Sequence, residues 1–256
     1  MAGLLCQCTY IAANIMWSIC KKELLQFFSS ITGYLAIGVF LLLMGLFLFI
    51  FPDTSIFDYG FATMDKFFEL APWVMLLLIP SITMRSFSDE FKSGTWELLK
   101  TKPLTFGQII AGKYWASFIV ASLALLPSLL YVFTINNLIV KGSIDSGGIA
   151  GSYVGLLMLV AVFTAIGICC STLTNNAVVG FLISAVACFI FYNGFQAVSQ
   201  IPSFKGNADY YIEQAGISNH YKSMSRGLIE VKDVVYFVVV TVLFLLIAAR
   251  QLMKKW

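Results

Sequence analysis

The stretch Arg85-Ser-Phe-Ser-Asp-Glu-Phe-Lys-Ser-Gly-Thr-Trp-Glu-Leu-Leu-Lys-Thr-Lys-Pro-Leu-Thr105 interrupts an otherwise apolar chain, and seven of its 21 residues are charged. Apolar runs precede and follow it. Gly94 breaks it and Pro103 ends it, because proline cannot continue a helix and disfavours helical backbone at the residue before it. The pattern therefore predicts a short isolated helix, Thr95 to Thr101, between two membrane spans.

The charged and apolar residues of this short helix occupy distinct positions along it. Glu97 lies in the first turn and Lys100 in the last, which suits the helix dipole. Trp96 and Leu99 are three residues apart and so share one face. We expect this face to contact a partner protein. The alternative is an ordinary solvated loop, since charge runs next to membranes are common.

Composition excludes a soluble globular domain. Of 256 residues, 59% are hydrophobic and 11% are charged, with a mean hydropathy of +0.88. Six apolar runs approach the roughly 20 residues that a ~30 Å hydrocarbon core requires. They predict an all-α membrane protein, a single domain over 16–256, with spans at about 31–51, 67–84, 114–139, 153–173, 177–199 and 234–252.

The distribution of basic residues predicts the orientation. With a cytoplasmic N-terminus, ten of the sixteen lysines and arginines fall on the cytoplasmic side, in agreement with the positive-inside rule. We therefore expect a multi-pass membrane protein with both termini, and the stretch from Arg85 to Thr105, in the cytoplasm. No disulfide is expected among its six cysteines.

The N-terminal region divides at Met16. Residues 1–15 are apolar and precede the first lysines, which is the reverse of a signal peptide. We expect them to be a non-native or disordered extension. Residues 16–28 alternate apolar and charged side chains at helical spacing and predict an interfacial helix on the inner membrane surface.

Prolines, glycines and one capping motif mark the spans. Pro72 and Pro80 are expected to kink or shorten the second span. Thr105-Phe-Gly-Gln108 fits a capping box, so a helix should begin there. A Gly/Ser-rich turn is expected from Gly142 to Gly151.

Small residues recur along and just before the fourth predicted span. Gly151, Gly155 and Gly167 should allow close helix contact, within this chain rather than between copies. The last outer loop predicts two short helices, 208–215 and 219–228, broken at Gly216.

One nucleotide-binding pattern is present and is rejected. Gly107-Gln-Ile-Ile-Ala-Gly112-Lys113 has the glycine and lysine spacing of a phosphate loop, but Tyr114 replaces the hydroxyl residue that would bind magnesium. We expect no ATP hydrolysis by this chain and no part in it for Lys113. Cys6-x-Cys8 lacks a second ligand pair, so neither a metal nor a cofactor is expected.

Three segments together resemble a known family. Phe87-Ser-Asp-Glu90, Gly94-Thr-Trp-Glu-Leu-Leu99 and Thr101-Lys-Pro103 resemble the cytoplasmic motif of ABC transporter permeases of the second type (ABC-2), a six-span family. Gly33-Tyr34-Leu35 and the run from Arg226 to Phe237 look closest to its gliding-motility permease subunit, GldF. The permease associated with nitrous oxide reductase maturation shares much of this pattern.

The resemblance implies that a separate ATPase subunit, using ATP and Mg, docks on the stretch around Thr95 and drives an exporter. It implies contact through Phe87, Asp89, Glu90, Gly94, Thr95, Trp96, Glu97, Leu98, Leu99 and Pro103. It also implies an auxiliary gliding-motility subunit and a second permease copy or homologous permease. We expect the permease interface at Gly38, Val39, Gly45, Gly180 and Leu182. The alternative is a membrane scaffold or assembly factor.

Overall fold

The computed structural model describes residues 16–51, 64–101, 104–138, 145–201 and 209–254, and within these ranges the chain is helical with no β-strand. The expectations for residues 1–15 and for Pro103 lie outside the described residues. The helices are α1 Met16–Phe28, α2 Ile31–Phe49, α3 Asp65–Thr83, α4 Arg85–Ser93, α5 Thr95–Lys100, α6 Phe106–Leu125, α7 Leu129–Leu138, α8 Ser146–Ser171, α9 Ala177–Phe189, α10 Phe195–Ser199, α11 Asp209–Gln214, α12 Ile217–Met224 and α13 Val231–Lys254. A 3₁₀ turn, Leu126–Ser128, joins α6 to α7, and a π-helical turn, Ile190–Gly194, joins α9 to α10.

Five helical segments among the described residues are long and apolar enough to cross a membrane. They are Asp65–Ser93, Phe106–Asn136, Ser146–Ser171, Ala177–Ser199 and Val231–Lys254. Helices α1 and α2 meet the same criterion together, but the chain bends by 70° between them. The bundle therefore has five spans, or six if the bent pair is one broken span.

Helix α8 is the centre of the bundle and packs against α3, α6, α9 and α13. Its glycines allow close contact with α3, with α12 and with Gly227. A Cβ on Gly155 would lie 2.6 Å from Met224 Cβ, and one on Gly151 would lie 2.8 Å from the carbonyl oxygen of Gly227. Gly167 similarly abuts Thr83 of α3. The prediction that these small residues serve contacts within the chain is confirmed.

Helix α3 continues through both of its prolines, from Asp65 to Thr83, so of the two expected effects, a kink or a shorter span, the shortening does not occur. Proline lacks the N–H that would bond the carbonyl four residues earlier. For Pro72 that carbonyl belongs to Phe68, and the buried hydroxyl of Tyr221 donates a hydrogen bond to it at 2.7 Å. A neighbouring helix thus satisfies the freed acceptor, as in other membrane helices that contain proline.

Side-chain caps determine the starts of α6 and α8. Thr105 and Gln108 form the predicted capping box at the start of α6. The expected turn from Gly142 to Gly151 is wrong over its second half, because α8 already begins at Ser146. There the carboxylate of Asp145 accepts a hydrogen bond from the Gly148 N–H at 3.0 Å, and such a cap stabilises a helix start.

Because Gly167 contacts Thr83, we predict that a methyl group added at position 167 destabilises the protein. Gly167→Ala should lower the free energy of unfolding by about 1–3 kcal/mol, since overpacking a dense core costs that much. A Cβ there would lie 2.9 Å from Thr83 Cβ. The measurement is thermal unfolding of the purified protein in detergent.

Gly107→Ala is the matched control, because a Cβ at Gly107 meets no atom within 4 Å. It should leave the unfolding midpoint unchanged or raise it slightly. Equal destabilisation by the two substitutions would contradict this account of the α3–α8 contact.

Candidate functional site

The boundary between α4 and α5 depends on one glycine. Gly94 has φ of 72°, in the left-handed region that residues with a Cβ rarely adopt. Across it, the hydroxyls of Ser93 and Thr95 lie 2.9 Å apart, and Ser93 also donates to the carbonyl of Asp89 at 2.7 Å. Helix α5 is therefore a separate six-residue element set at a fixed angle to α4.

Trp96 attaches α5 to the rest of the protein. Its indole is only 5% exposed. The ring centroid lies 5.5 Å from that of Phe91, 6.1 Å from that of Phe87 and 6.4 Å from that of Phe106, within the range of favourable aromatic pairs. The expectation that Trp96 offers its ring to a partner is wrong, because that ring already fills an internal cluster. The sequence alone did not show whether the Trp96 ring points into the bundle or away from it.

The outward face of α5 carries different residues. Leu98 is 67% exposed, and Glu97 is exposed and makes no ion pair with any described residue. Leu99 is half-buried and packs against the core. The helix thus presents one carboxylate and one leucine from a base fixed by buried aromatics.

Nine of the ten residues expected at this site lie in the described part of the chain, and they separate by exposure. The exposed ones are Gly94, Thr95, Glu97 and Leu98, the half-buried ones are Asp89 and Leu99, and the buried ones are Phe87, Glu90 and Trp96. Only the exposed set and the rims of the half-buried pair are available to another protein. The buried set holds the site in place.

A buried lysine connects this site to two other helices. The Lys113 side chain on α6 is 1% exposed. Its ammonium lies 2.7 Å from the Glu23 carboxylate of α1 and 2.9 Å from the Glu90 carboxylate of α4. It also donates to the carbonyl of Ser86 at 2.5 Å and lies 4.9 Å from the centre of the Phe87 ring.

This arrangement, which we call the Lys113 cluster (Lys113, Glu23, Glu90 and the Ser86 carbonyl), compensates a charge that would otherwise be very costly to bury. The more exposed Lys22 approaches Glu90 at 3.4 Å and adds to it. The cluster joins α1, α4 and α6, which are distant in sequence. A sequence signal existed, since Lys113 is a lone charge at the start of an apolar run, but its partners could not be identified without the fold.

The far end of the bundle has its own polar anchor. His220 of α12 lies 2.7 Å from the Asp233 carboxylate of α13 and 2.8 Å from the carbonyl oxygen of Gln214, and its ring stacks on Tyr236 with centroids 4.0 Å apart. Asp233 is 1% exposed. The helices α11 and α12 are thereby fixed on α13.

The expected permease interface also divides by exposure. Gly38, Val39 and Leu182 are exposed, and nothing in the chain lies within 4 Å of a Cβ placed on Gly38. Gly45 faces the hydroxyl of Tyr131, and Gly180 is buried against Thr174. Of the expected interface residues, Gly38, Val39 and Leu182 are therefore the ones that another subunit can contact.

An apolar helical bundle of this length, with a short helix fixed to its polar end, defines a multi-pass membrane protein. Comparison with protein families identifies the family of this chain. The family model described as ABC-2 family transporter protein matches residues 51–255. The chain belongs to this family of transporter membrane components. A search of curated proteins gives no match. The chain is thus a transmembrane permease, generally non-catalytic in this family, whose partners are an ABC ATPase and the lipid bilayer.

The Lys113 cluster makes a quantitative prediction. Lys113→Ala removes the buried cation that Glu23 and Glu90 share and leaves Glu90 only its longer contact with Lys22. Breaking a buried pair in this way costs about 3–5 kcal/mol. The unfolding midpoint in detergent should fall sharply. Lys22→Ala, which removes a cation that is 58% exposed, should cost less than about 1 kcal/mol.

A triple substitution separates charge from packing. Lys113→Met with Glu23→Gln and Glu90→Gln removes all three charges at similar volume and should recover most of the lost stability. If Lys113→Ala is no more destabilising than Lys22→Ala, the cluster does not hold these helices together.

Proposed function

We propose that this chain is the permease subunit of an ATP-driven exporter and that its ATPase docks on the outward face of α5. The observation that carries the proposal is the exposure of Glu97 and Leu98 on a helix whose other face is fixed by Trp96. A six-residue helix is too short to be stable alone. Its order comes from the bundle, so a force applied to it acts on the bundle.

The contacts suggest how motion of the ATPase would reach the membrane. Displacement of α5 would move the aromatic cluster around Trp96 and with it α4. Since Glu90 of α4 and Glu23 of α1 share the Lys113 ammonium, α1 and α6 would follow. Helix α4 also continues directly from α3, and the two together form one span. Four helices would thus respond to one docking contact.

For the topology we propose six spans, with the bent pair α1–α2 as the first and α1 lying on the inner surface. Both termini would be cytoplasmic and the protein would reside in the bacterial inner membrane. The support is the 70° bend between α1 and α2, together with the ten of sixteen basic residues that this orientation places inside.

For the assembly we propose a second permease, identical or homologous, in contact with α2 and α9. Val39 and Leu182 are 46% and 56% exposed on these helices, and Gly38, next to Val39 on α2, leaves room for close approach. Val39→Cys and Leu182→Cys should cross-link between subunits on mild oxidation, as judged by a dimer on non-reducing gels. Cross-linking through exposed Val154→Cys of α8 instead would place the interface elsewhere.

The physiological role we propose is export in support of gliding motility, with an auxiliary membrane subunit. Its support is the resemblance of Gly33-Tyr34-Leu35 and of the run from Arg226 to Phe237 to the gliding-motility permease. Loss of surface spreading on deletion of the gene, restored by complementation, is the expected result. A defect confined to nitrous oxide reductase maturation would favour the related permease type.

Charge reversal at α5 tests the docking proposal. Glu97→Lys should leave the permease folded, because the side chain is exposed and unpaired among the described residues, while it weakens ATPase binding. A buried interfacial charge pair is worth about 2–5 kcal/mol and a rim pair much less. The measurements are co-purification of the ATPase and permease-stimulated ATP hydrolysis in reconstituted membranes.

Glu213→Lys is the matched control, an exposed glutamate on α11 at the other end of the bundle. It should leave binding and hydrolysis unchanged. Normal binding and stimulation by Glu97→Lys would refute docking at α5. Stimulated hydrolysis without movement of any substrate in the unaltered complex would favour the scaffold alternative.

A further inference from the structure

The turn that joins α8 to α9, residues 172–176, is ordered and exposed; we call it the α8–α9 turn. Leu173 is 52% exposed. The Asn176 side chain accepts a hydrogen bond from the Val178 N–H at 3.0 Å and so caps α9. The Thr174 hydroxyl accepts another from the Asn176 N–H at 3.1 Å. The turn therefore presents an apolar side chain from a fixed backbone.

Hydrogen bonds join this turn to α4 and α13. The hydroxyl of Ser171, the last residue of α8, accepts from the Phe87 N–H at 3.1 Å and donates to the Met84 carbonyl at 3.2 Å. Helix α8 thus ends against the start of α4. The hydroxyl of the next residue, Thr172, donates to the side-chain oxygen of Gln251 on α13. The turn therefore lies at the same end of the bundle as α4 and α5.

The surface between α5 and the α8–α9 turn is continuous. A cavity of about 800 Å³ lies between α4 and the turn, and its lining includes Asp89 and Lys92 from α4 and Leu173 and Asn175 from the turn. Asp89 and Lys92 also line a neighbouring cavity of about 580 Å³, which reaches Thr95 at the start of α5. One partner can therefore cover α5, the exposed side of α4 and the turn together.

We propose that the ABC ATPase makes a second contact with this chain on the α8–α9 turn and buries Leu173 there. The inference rests on the proposed docking at α5. A stable protein interface involves about 20–30 residues on each side, whereas the described part of α5 exposes Thr95, Glu97 and Leu98. Docking at α5 therefore requires further surface, and the continuous surface across α4 supplies it.

The composition of this surface suits a protein partner. Asp89 and Lys92 line the same cavity as Leu173, and an apolar centre with a polar rim is the usual anatomy of a protein interface. Acyl chains do not suit it, because charged groups in contact with hydrocarbon are costly. The proposed permease contact is elsewhere, since Leu182 lies about 9 Å further into α9 than the Asn176 cap, at about 1.5 Å per residue.

Two contacts would connect the ATPase to most of the bundle. The contact at α5 moves α4 and, through the Lys113 cluster, α1 and α6. The contact at the turn moves α8 and α9 directly, and it moves α13 through the bond from Thr172 to Gln251.

Site-specific photo-cross-linking tests the second contact, in membranes that contain the permease and its ATPase. Benzoyl-phenylalanine in place of Leu173 should cross-link to the ATPase, and so should benzoyl-phenylalanine in place of Leu98 on α5. The control replaces Leu228, which is 62% exposed. Its neighbour Gly227 packs against Gly148 near the start of α8, at the other end of the bundle, so this position should give no cross-link to the ATPase.

The two docking claims fail separately in this experiment. A cross-link from position 98 without one from position 173 overturns the second contact and leaves docking at α5 intact. A cross-link from position 173 without one from position 98 supports the second contact and refutes docking at α5. A product that joins position 173 to another permease copy, and not to the ATPase, also overturns the inference.

A binding titration measures the strength of the contact, with the ATPase added to permease in lipid nanodiscs. Leu173→Ser should weaken binding about tenfold, the value of burying the exposed half of a leucine side chain. Leu228→Ser should leave binding unchanged. Neither substitution should lower the unfolding midpoint, because both side chains are exposed. Combined with Glu97→Lys, the loss from Leu173→Ser should multiply, since separate contacts act independently. Binding by Leu173→Ser equal to that of the unaltered permease would overturn the inference.

Discussion

The burial of one ammonium group constrains the polar end of this protein. Lys113 lies in a helix that is otherwise apolar around it, and Glu23, Glu90 and the Ser86 carbonyl compensate its charge there. Because those carboxylates belong to α1 and α4, moving either helix away from α6 would remove one partner of a buried charge. The cluster therefore converts three separately encoded helices into one mechanical unit.

The Lys113 cluster also fixes the position of the short helix α5, through α4. Helix α5 is joined to α4 through the Gly94 turn and through the ring of Trp96, and α4 is joined to the Lys113 cluster. In a family whose ATPase is a separate subunit, the docking that we propose at α5 requires a rigid connection between this helix and the spans. In the apolar part of the bundle, Gly155 and Gly167 let α8 pack closely against its neighbours, which also makes the bundle rigid. At the opposite end, His220 and Asp233 hold the outer helices on α13 independently.

The sequence predicted features that depend on local chemistry. The capping box at Thr105, the break at Gly94 and the approximate spans follow from patterns that each involve a few neighbouring residues. The role of Lys113 depends on contacts across tens of residues, such as the 90 positions that separate Lys113 from Glu23. The continuity of α3 through Pro72 likewise depends on Tyr221, 153 positions from the carbonyl it satisfies. No local pattern contains such information.

The central claim is that the Lys113 cluster fixes α5 relative to α1. Electron–electron distance measurement tests it most directly, with spin labels attached through Lys21→Cys and Leu98→Cys, both exposed, in a chain whose Cys6 and Cys8 are replaced by serine. We predict a narrow distance distribution, which broadens when Lys113→Met is added to the labelled chain. An equally narrow distribution in the folded Lys113→Met protein would contradict the claim.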